Sequence, residues 1–179
     1  MIPVAGFPLL YLPIHVVWLE LIVHPTALLA FQNLPLHDHL DAWGLRAGTA
    51  PPSFFSRRQW AVIAVTGLAV TLAIMLGYVH SLDAVDDIPH ARATAMSELI
   101  VAGATMTIAL SGLRAPAARW IVVASLTSAV VLMQTPALAA MLHLGPLHTD
   151  DLALAGGLGA LAGAPAFLLP RHARPTHSR

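Results

Sequence analysis

The most constraining feature of this sequence is a series of long apolar blocks that carry few or no charged residues. A helix needs about 20 mostly apolar residues to cross the roughly 30 Å hydrocarbon layer of a bilayer. Five blocks come close to that length, at residues 13–32, 60–79, 94–113, 120–142 and 152–169. Chain that crosses lipid must satisfy its own backbone hydrogen bonds, and a helix does so. The sequence therefore predicts an all-α polytopic membrane protein, a bundle of about five transmembrane helices forming one membrane domain over residues 1–179.

The composition supports a lipid environment and excludes several kinds of soluble protein. Charged residues make up 10% of the chain, whereas an ordinary soluble domain carries about 25%. The formal net charge is zero, so the overall charge gives no argument for a nucleic-acid or acidic partner. Cysteine and lysine are both absent, which excludes thiolate metal sites and the lysine of a phosphate-binding P-loop. The expected partner is the lipid bilayer.

The placement of the nine arginines predicts the orientation of the bundle. Eight of them lie in the loop 33–59, in the connection that precedes residue 120, or in the tail 170–179, and Arg92 is the exception. With five crossings, these three regions share one side of the membrane, and basic loops stay in the cytoplasm. We therefore expect an outside N-terminus, a cytoplasmic loop 33–59 and a cytoplasmic tail, in a multi-pass protein of the cell (inner) membrane.

A candidate ion site lies in the first apolar block. Glu20 and His24 are four residues apart, so they share one face of a helix. Pro25 has no N–H, which leaves the carbonyl of Leu21 without its helical partner. A carboxylate, an imidazole and a free carbonyl within one turn suit a transported cation or a proton in a discontinuous helix. A structural alternative is equally open: Glu20 and His24 pair with each other and hold the helix against a neighbour.

Other polar and small residues are interpreted as structural. Glu98 lies about one turn from the start of the block 94–113, so we expect a solvated acid at the membrane interface. His37 and His39 flank an acid in a loop, but zinc requires three or four ligands and no third ligand is evident. No catalytic or cofactor-binding arrangement emerges. The last block contains four glycines that are expected to allow close helix packing, Gly156, Gly157, Gly159 and Gly163.

Several stretches, taken in order, resemble the C-terminal membrane region of P-type cation-transporting ATPases. The stretch GFPLLYLPIHVVWLELIVHPTALLAF at 6–31 resembles the family's sixth transmembrane helix, PLxxxPIQLLWxNLxTDxxPAxAL. A proline pair and a basic stretch follow at 51–58. ARATAMSELIV at 91–101 is similar to the family's ARTxAFxxLV entry into the eighth helix. LAAMLHLGPLHTDDLALAGGLG at 138–159 resembles its passage into the last helix, LQxxFxxxPLxxxDWLxxL. The likeness covers nearly the whole chain.

The resemblance implies that the five blocks correspond to helices six to ten of such a pump. Glu20 then falls where many calcium pumps have an asparagine, and His24 where they have an ion-binding aspartate. The resemblance thus assigns Glu20, His24 and the Leu21 carbonyl to part of the cation or proton site. A neutral imidazole suits protons or transition metals better than calcium. Gly103 falls near the acid that calcium pumps carry in helix eight.

The resemblance also implies a chain that is not catalytic alone. The family's phosphorylated aspartate lies in a DKTG motif, and this chain has no lysine. ATP and Mg are expected only in a separate catalytic part, and the partner would be the N-terminal remainder of the pump. The chain would then be a truncated pump, a separately encoded piece or a decayed gene. The alternative is an unrelated five-helix membrane module, either a haem- or metal-binding subunit or an assembly partner.

Overall fold

Every regular element in the described part of the chain is helical. A computed structural model describes residues 8–21, 57–85, 87–113 and 116–168. The prediction of an all-helical chain is confirmed for these residues. The elements in chain order are α1 (13–21), α2 (Arg57–Val85), α3 (Ile88–Ser111), α4 (Pro116–Gln134), α5 (Pro136–Met141), α6 (Thr149–Gly163) and a 3-10 helix (Ala164–Leu168).

Three of these segments are long and apolar enough to cross a membrane. They are Arg57–Asp83 in α2, Ile88–Ser111 in α3, and Thr149–Leu168, which joins α6 to the 3-10 helix. A shorter apolar helix runs over Ala118–Gln134. Length and composition thus indicate a membrane protein.

Helix α3 is the centre of the bundle. It packs against α2, α4 and α6, and 56% of its apolar window is buried, compared with 33% for α2 and 28% for the last segment. It starts after Asp87, with Pro89 in its first turn, where a missing N–H costs no helical hydrogen bond. It ends at Gly112, whose φ of 58° is left-handed and suits glycine at a helix C-terminus. The helix therefore begins six residues before the predicted block 94–113.

The predicted block 120–142 is divided into two helices. Thr135 is extended, with φ −94° and ψ 110°, and α5 starts at Pro136. Proline cannot donate the hydrogen bond that a continuous helix requires at this position. The Gln134 side chain donates from Nε2 to the carbonyl of Leu147 at 3.0 Å, which holds the break against the loop before α6.

Two of the four glycines in α6 allow it to approach α3 closely. A Cβ at Gly159 would lie 2.5 Å from the carbonyl oxygen of Glu98, and one at Gly163 would lie 2.8 Å from that of Ala102. A Cβ at Gly156 or Gly157 would have nothing within 4 Å. Close packing therefore depends on one glycine pair, spaced by four residues on the face towards α3.

The outward faces of the bundle are apolar. Large exposed side chains line α2 and α4, among them Leu68, Leu76 and Val123, and Trp60 and Trp120 are 59% and 73% exposed near the starts of these helices. Such faces fit lipid, and tryptophan favours the membrane interface. The Arg58 guanidinium donates to the carbonyl of Leu168 at 3.0 Å. The start of α2 and the end of the last segment therefore lie at one end of the bundle.

Candidate functional site

The most unusual polar group in the described residues is the carboxyl group of Glu98. Glu98 is the eleventh residue of the 24-residue helix α3, so it lies about 15 Å from the helix start at 1.5 Å per residue. Its exposed fraction is 0%. Neither carboxylate oxygen has a hydrogen-bond partner in the part of the chain that the structure describes. A buried carboxyl without a described hydrogen-bond partner therefore lies near the midpoint of a segment able to cross the membrane.

The sequence prediction of a solvated, interfacial Glu98 is wrong. It rested on a helix beginning at residue 94, after Asp87, His90 and Arg92. In the structure these residues cap or open α3 instead, and Arg92 donates from Nε to the carbonyl of Leu9 at 3.0 Å. The additional turns place Glu98 deep in the bundle rather than near its end.

Gly77 of α2 makes room for the carboxyl group. A Cβ at Gly77 would lie 2.6 Å from Cδ and 2.7 Å from Oε2 of Glu98. These distances are shorter than any van der Waals contact, so no side chain larger than hydrogen fits beside the carboxyl in its present position. The backbone of α2 thus forms one wall of the site, and the space between α2 and α3 at this level is filled.

Residues 8–12, which we call the strap, lie across the cleft between α2 and α3 and cover one side of it. Tyr11 donates from its hydroxyl to the carbonyl of Ala95 at 3.3 Å, and Ala95 precedes Glu98 by three residues on α3. Tyr78, fully buried and next to Gly77, donates to the carbonyl of Pro8 at 3.2 Å. With the Arg92 contact to Leu9, three side chain to backbone hydrogen bonds join the strap to α2 and α3.

Tyr11 also interacts electrostatically with Glu98. Burial raises the pKa of the Tyr11 phenol well above its usual value, and the negative charge of an ionised Glu98 raises this pKa further. Tyr11 therefore stays a neutral hydrogen-bond donor, which suits its contact with Ala95.

His15 ties the start of α1 to the end of α5. It is fully buried, and its Nδ1 accepts a hydrogen bond from the Leu12 N–H at 3.1 Å. Its other nitrogen, Nε2, contacts the carbonyl of Leu142. Since a carbonyl only accepts, the ring is the neutral tautomer with the proton on Nε2. The sequence reasoning did not single out this residue, although a histidine inside an apolar block could have marked it.

Replacing His15 with leucine is expected to lower the free energy of unfolding by about 1–3 kcal/mol, because the Leu12 N–H and the Leu142 carbonyl would lose their partner in a buried place. His80→Leu is the control, since His80 is exposed on α2 and surface changes are usually within about 0.5 kcal/mol. Unfolding of both variants in detergent micelles, followed by circular dichroism, compares them. Equal stability of the two would contradict this role of His15.

A second polar cluster lies where α3 and α6 begin. The Asp151 carboxylate accepts a hydrogen bond from the His148 N–H at 3.2 Å and lies 3.3 Å from His90 Nε2. His148 Nδ1 is 3.4 Å from the same oxygen. These contacts cap α6 and join it to α3. Among the described residues, no group of three or more histidine, cysteine or acidic side chains could hold a metal ion.

The site predicted from the sequence is described only in part. Glu20 and Leu21 lie at the end of α1, both exposed, Leu21 by 69%. His24, His37 and His39 lie outside the described residues. The structure places Glu20 on the surface of this part of the chain, whereas Glu98 is inside it. The cation or proton site at Glu20, Leu21 and His24 stays a prediction.

Comparisons with known proteins find no relative. No protein-family model, no curated protein and no solved structure matches the chain.

Proposed function

We propose that this chain is the C-terminal membrane half of a P-type cation-transporting ATPase, contributing part of an intramembrane cation or proton site. The observation that carries the proposal is the buried, unpaired carboxyl of Glu98 midway along α3. Acids inside transmembrane segments are costly and usually mark ion or proton pathways. A helix serving only as scaffold would be more stable with an apolar residue at this position.

The order of the helices supports the proposal. In chain order, the described residues contain α1, which is the start of a first helix, then α2, α3, the pair α4 and α5 with a break between them, and α6 with its 3-10 extension. This order fits five crossings that correspond to helices six to ten of the pump. The end of the bundle where Arg58 meets Leu168 would be cytoplasmic by the positive-inside rule, with the N-terminus outside.

In the intact pump, Glu20, His24 and the Leu21 carbonyl would bind the transported cation or relay protons, and Glu98 would lie in the same half of the membrane domain. The chain supplies no phosphorylation or nucleotide-binding motif. ATP and Mg would bind to the remainder of the pump, and the helices of this half would move in response.

The length of the native product tests the proposal directly. We expect mass spectrometry of membranes from the source organism to find peptides that continue upstream of Met1 into a phosphorylation domain, or a separate product that carries such a domain and co-purifies with the chain. A stable product that begins at Met1, with no such partner in the same membranes, would contradict the proposal. It would favour a free-standing module, for which a visible spectrum of the purified chain would detect or exclude haem.

Glu20→Gln in the intact parent pump is expected to abolish coupled ion flux, because the amide keeps the size of the side chain but removes its charge. Flux into sealed vesicles on addition of ATP is the measurement. Asp150→Asn is the matched control, since Asp150 is an exposed acid at the start of α6. Unchanged flux in the Glu20 variant would remove Glu20 from the site.

A further inference from the structure

We infer that Glu98 is a proton-binding site, cradled by Gly77 and closed on the strap side by residues 8–12. No sequence motif marks this site, because Glu98 lies more than a turn before Gly103, where the resemblance places a helix-eight acid. Binding of the proton follows from the surroundings of the carboxyl. Its role in transport rests on the proposed function.

The surroundings favour the neutral acid over the carboxylate. An ionised carboxylate inside a protein without hydrogen bonds or a counter-charge is far more costly than the neutral group. Glu98 has neither kind of support in the described residues: both oxygens are unpaired and fully buried. Arg92, on the same helix, directs its guanidinium to the carbonyl of Leu9. A proton is the simplest partner that removes the charge.

In the part of the chain that the structure describes, the groups that face Glu98 from the strap, α2 and α6 do not supply a charge. From the strap, Tyr11 is the titratable group, and it is neutral and donates to Ala95. From α2, the neighbours are the backbone of Gly77 and Tyr78, whose hydroxyl donates to Pro8. From α6, the backbone of Gly159 packs against the carbonyl of Glu98 itself.

The same geometry disfavours a metal cation as the ligand. Calcium takes six to eight oxygen ligands, and magnesium requires near-octahedral coordination, but no cluster of metal-ligating side chains surrounds Glu98 in the described residues. The wall at Gly77 is also in direct contact with the carboxyl, which leaves no room for an ion on that side. A proton needs neither additional ligands nor space.

The strap controls how that proton exchanges with the solution. Three hydrogen bonds join the strap to α2 and α3. Two involve Ala95 and Arg92, which lie within about two turns of Glu98 on α3, and the third comes from Tyr78, next to Gly77 on α2. Strap and site are therefore coupled through short stretches of two helices. If the strap lifts from α2 and α3, water can reach the carboxyl from that side, and while the strap is bound, the carboxyl stays dry.

The test is carbodiimide labelling of the full chain in phosphatidylcholine vesicles, with labelled residues mapped by mass spectrometry. Carbodiimides react with protonated carboxylic acids. We expect dicyclohexylcarbodiimide, which partitions into lipid, to label Glu98 and to do so more slowly as the pH rises. A water-soluble carbodiimide should label the exposed acid Asp150 but not Glu98. Glu98→Gln should remove the labelled peptide.

The double variant Tyr11→Phe, Tyr78→Phe removes two of the three strap hydrogen bonds and keeps both rings. It is expected to raise labelling of Glu98 by the water-soluble reagent several-fold, with labelling of Asp150 and the helix content unchanged. An unchanged rate at Glu98 would overturn the role of the strap.

Two results would overturn the proton assignment itself. The first is a Glu98 that no carbodiimide labels at any pH while Asp150 reacts. The second is protection of Glu98 by added sodium or calcium chloride at constant pH, which would indicate a cation. Because the labelling needs no pump, it can fail while the native product still proves to be a P-type ATPase. It can also succeed in a free-standing module, so the two proposals fail separately.

Discussion

Replacing Gly159 with alanine is expected to destabilise the bundle by about 1–3 kcal/mol or more, the usual cost of overpacking a close contact. The new Cβ would lie 2.5 Å from the carbonyl oxygen of Glu98 and 3.0 Å from Cβ of Val101. The first of these atoms belongs to the backbone of α3, which cannot move without shifting the helix. Unfolding in detergent micelles, followed by circular dichroism, measures the loss.

The same helix supplies the control for this experiment. Gly156→Ala and Gly157→Ala make the same chemical change in α6, but their methyl groups would have nothing within 4 Å. We expect these variants to be as stable as the parent or slightly more stable, since alanine favours a helix over glycine by about 1 kcal/mol. If all three variants unfold together, the contact between α6 and α3 does not depend on Gly159.

The second large effect is expected for Gly77→Ala, which places a methyl group where the Glu98 carboxyl now lies. The carboxyl must then leave its cradle, and any new position has to accommodate a buried acid among apolar side chains. We expect a loss of stability together with a changed rate of carbodiimide labelling at Glu98. Gly67→Ala, also in α2 and with open space around its Cβ, is the matched control.

A double-mutant cycle separates this steric effect from a general effect on α2. If the methyl group and the carboxyl compete for one space, Glu98→Ala should relieve part of the damage that Gly77→Ala causes. Interaction energies between contacting residues are typically about 0.5–3 kcal/mol. Additive losses in the double variant would show that the two residues do not share that space.

The sequence was sufficient to predict the helical class, because block length and hydropathy report directly on the cost of placing backbone and charge in lipid. It was insufficient to predict how far Glu98 lies from the start of its helix. The predicted block began after Asp87, Pro89, His90 and Arg92, whereas in the fold these residues start α3 and Arg92 also holds the strap. A boundary error of six residues turned a buried acid into an interfacial one.

The glycines show a similar limit. All four glycines of the last block were expected to pack closely, yet only Gly159 and Gly163 are in close contact with α3. Which face of a helix meets its neighbour depends on tertiary packing, and a glycine pattern does not specify it. The contact between Gly77 and Glu98 was not predicted either. It depends on how α2 and α3 are aligned along each other, and neither sequence segment specifies that alignment.

The central position of α3 has a consequence for the synthesis of the protein. This helix carries the buried acid, and an acid inside a membrane-spanning segment makes entry of that segment into lipid costly. Only two residues separate α2 from α3. Gly77 of α2 is therefore available to pack against Glu98 as soon as α3 has been synthesised. The glycine face of α6 follows much later, after α4 and α5. Until then one side of α3 has no final neighbour, and the half-made protein depends on the α2–α3 hairpin to keep its acid out of the lipid.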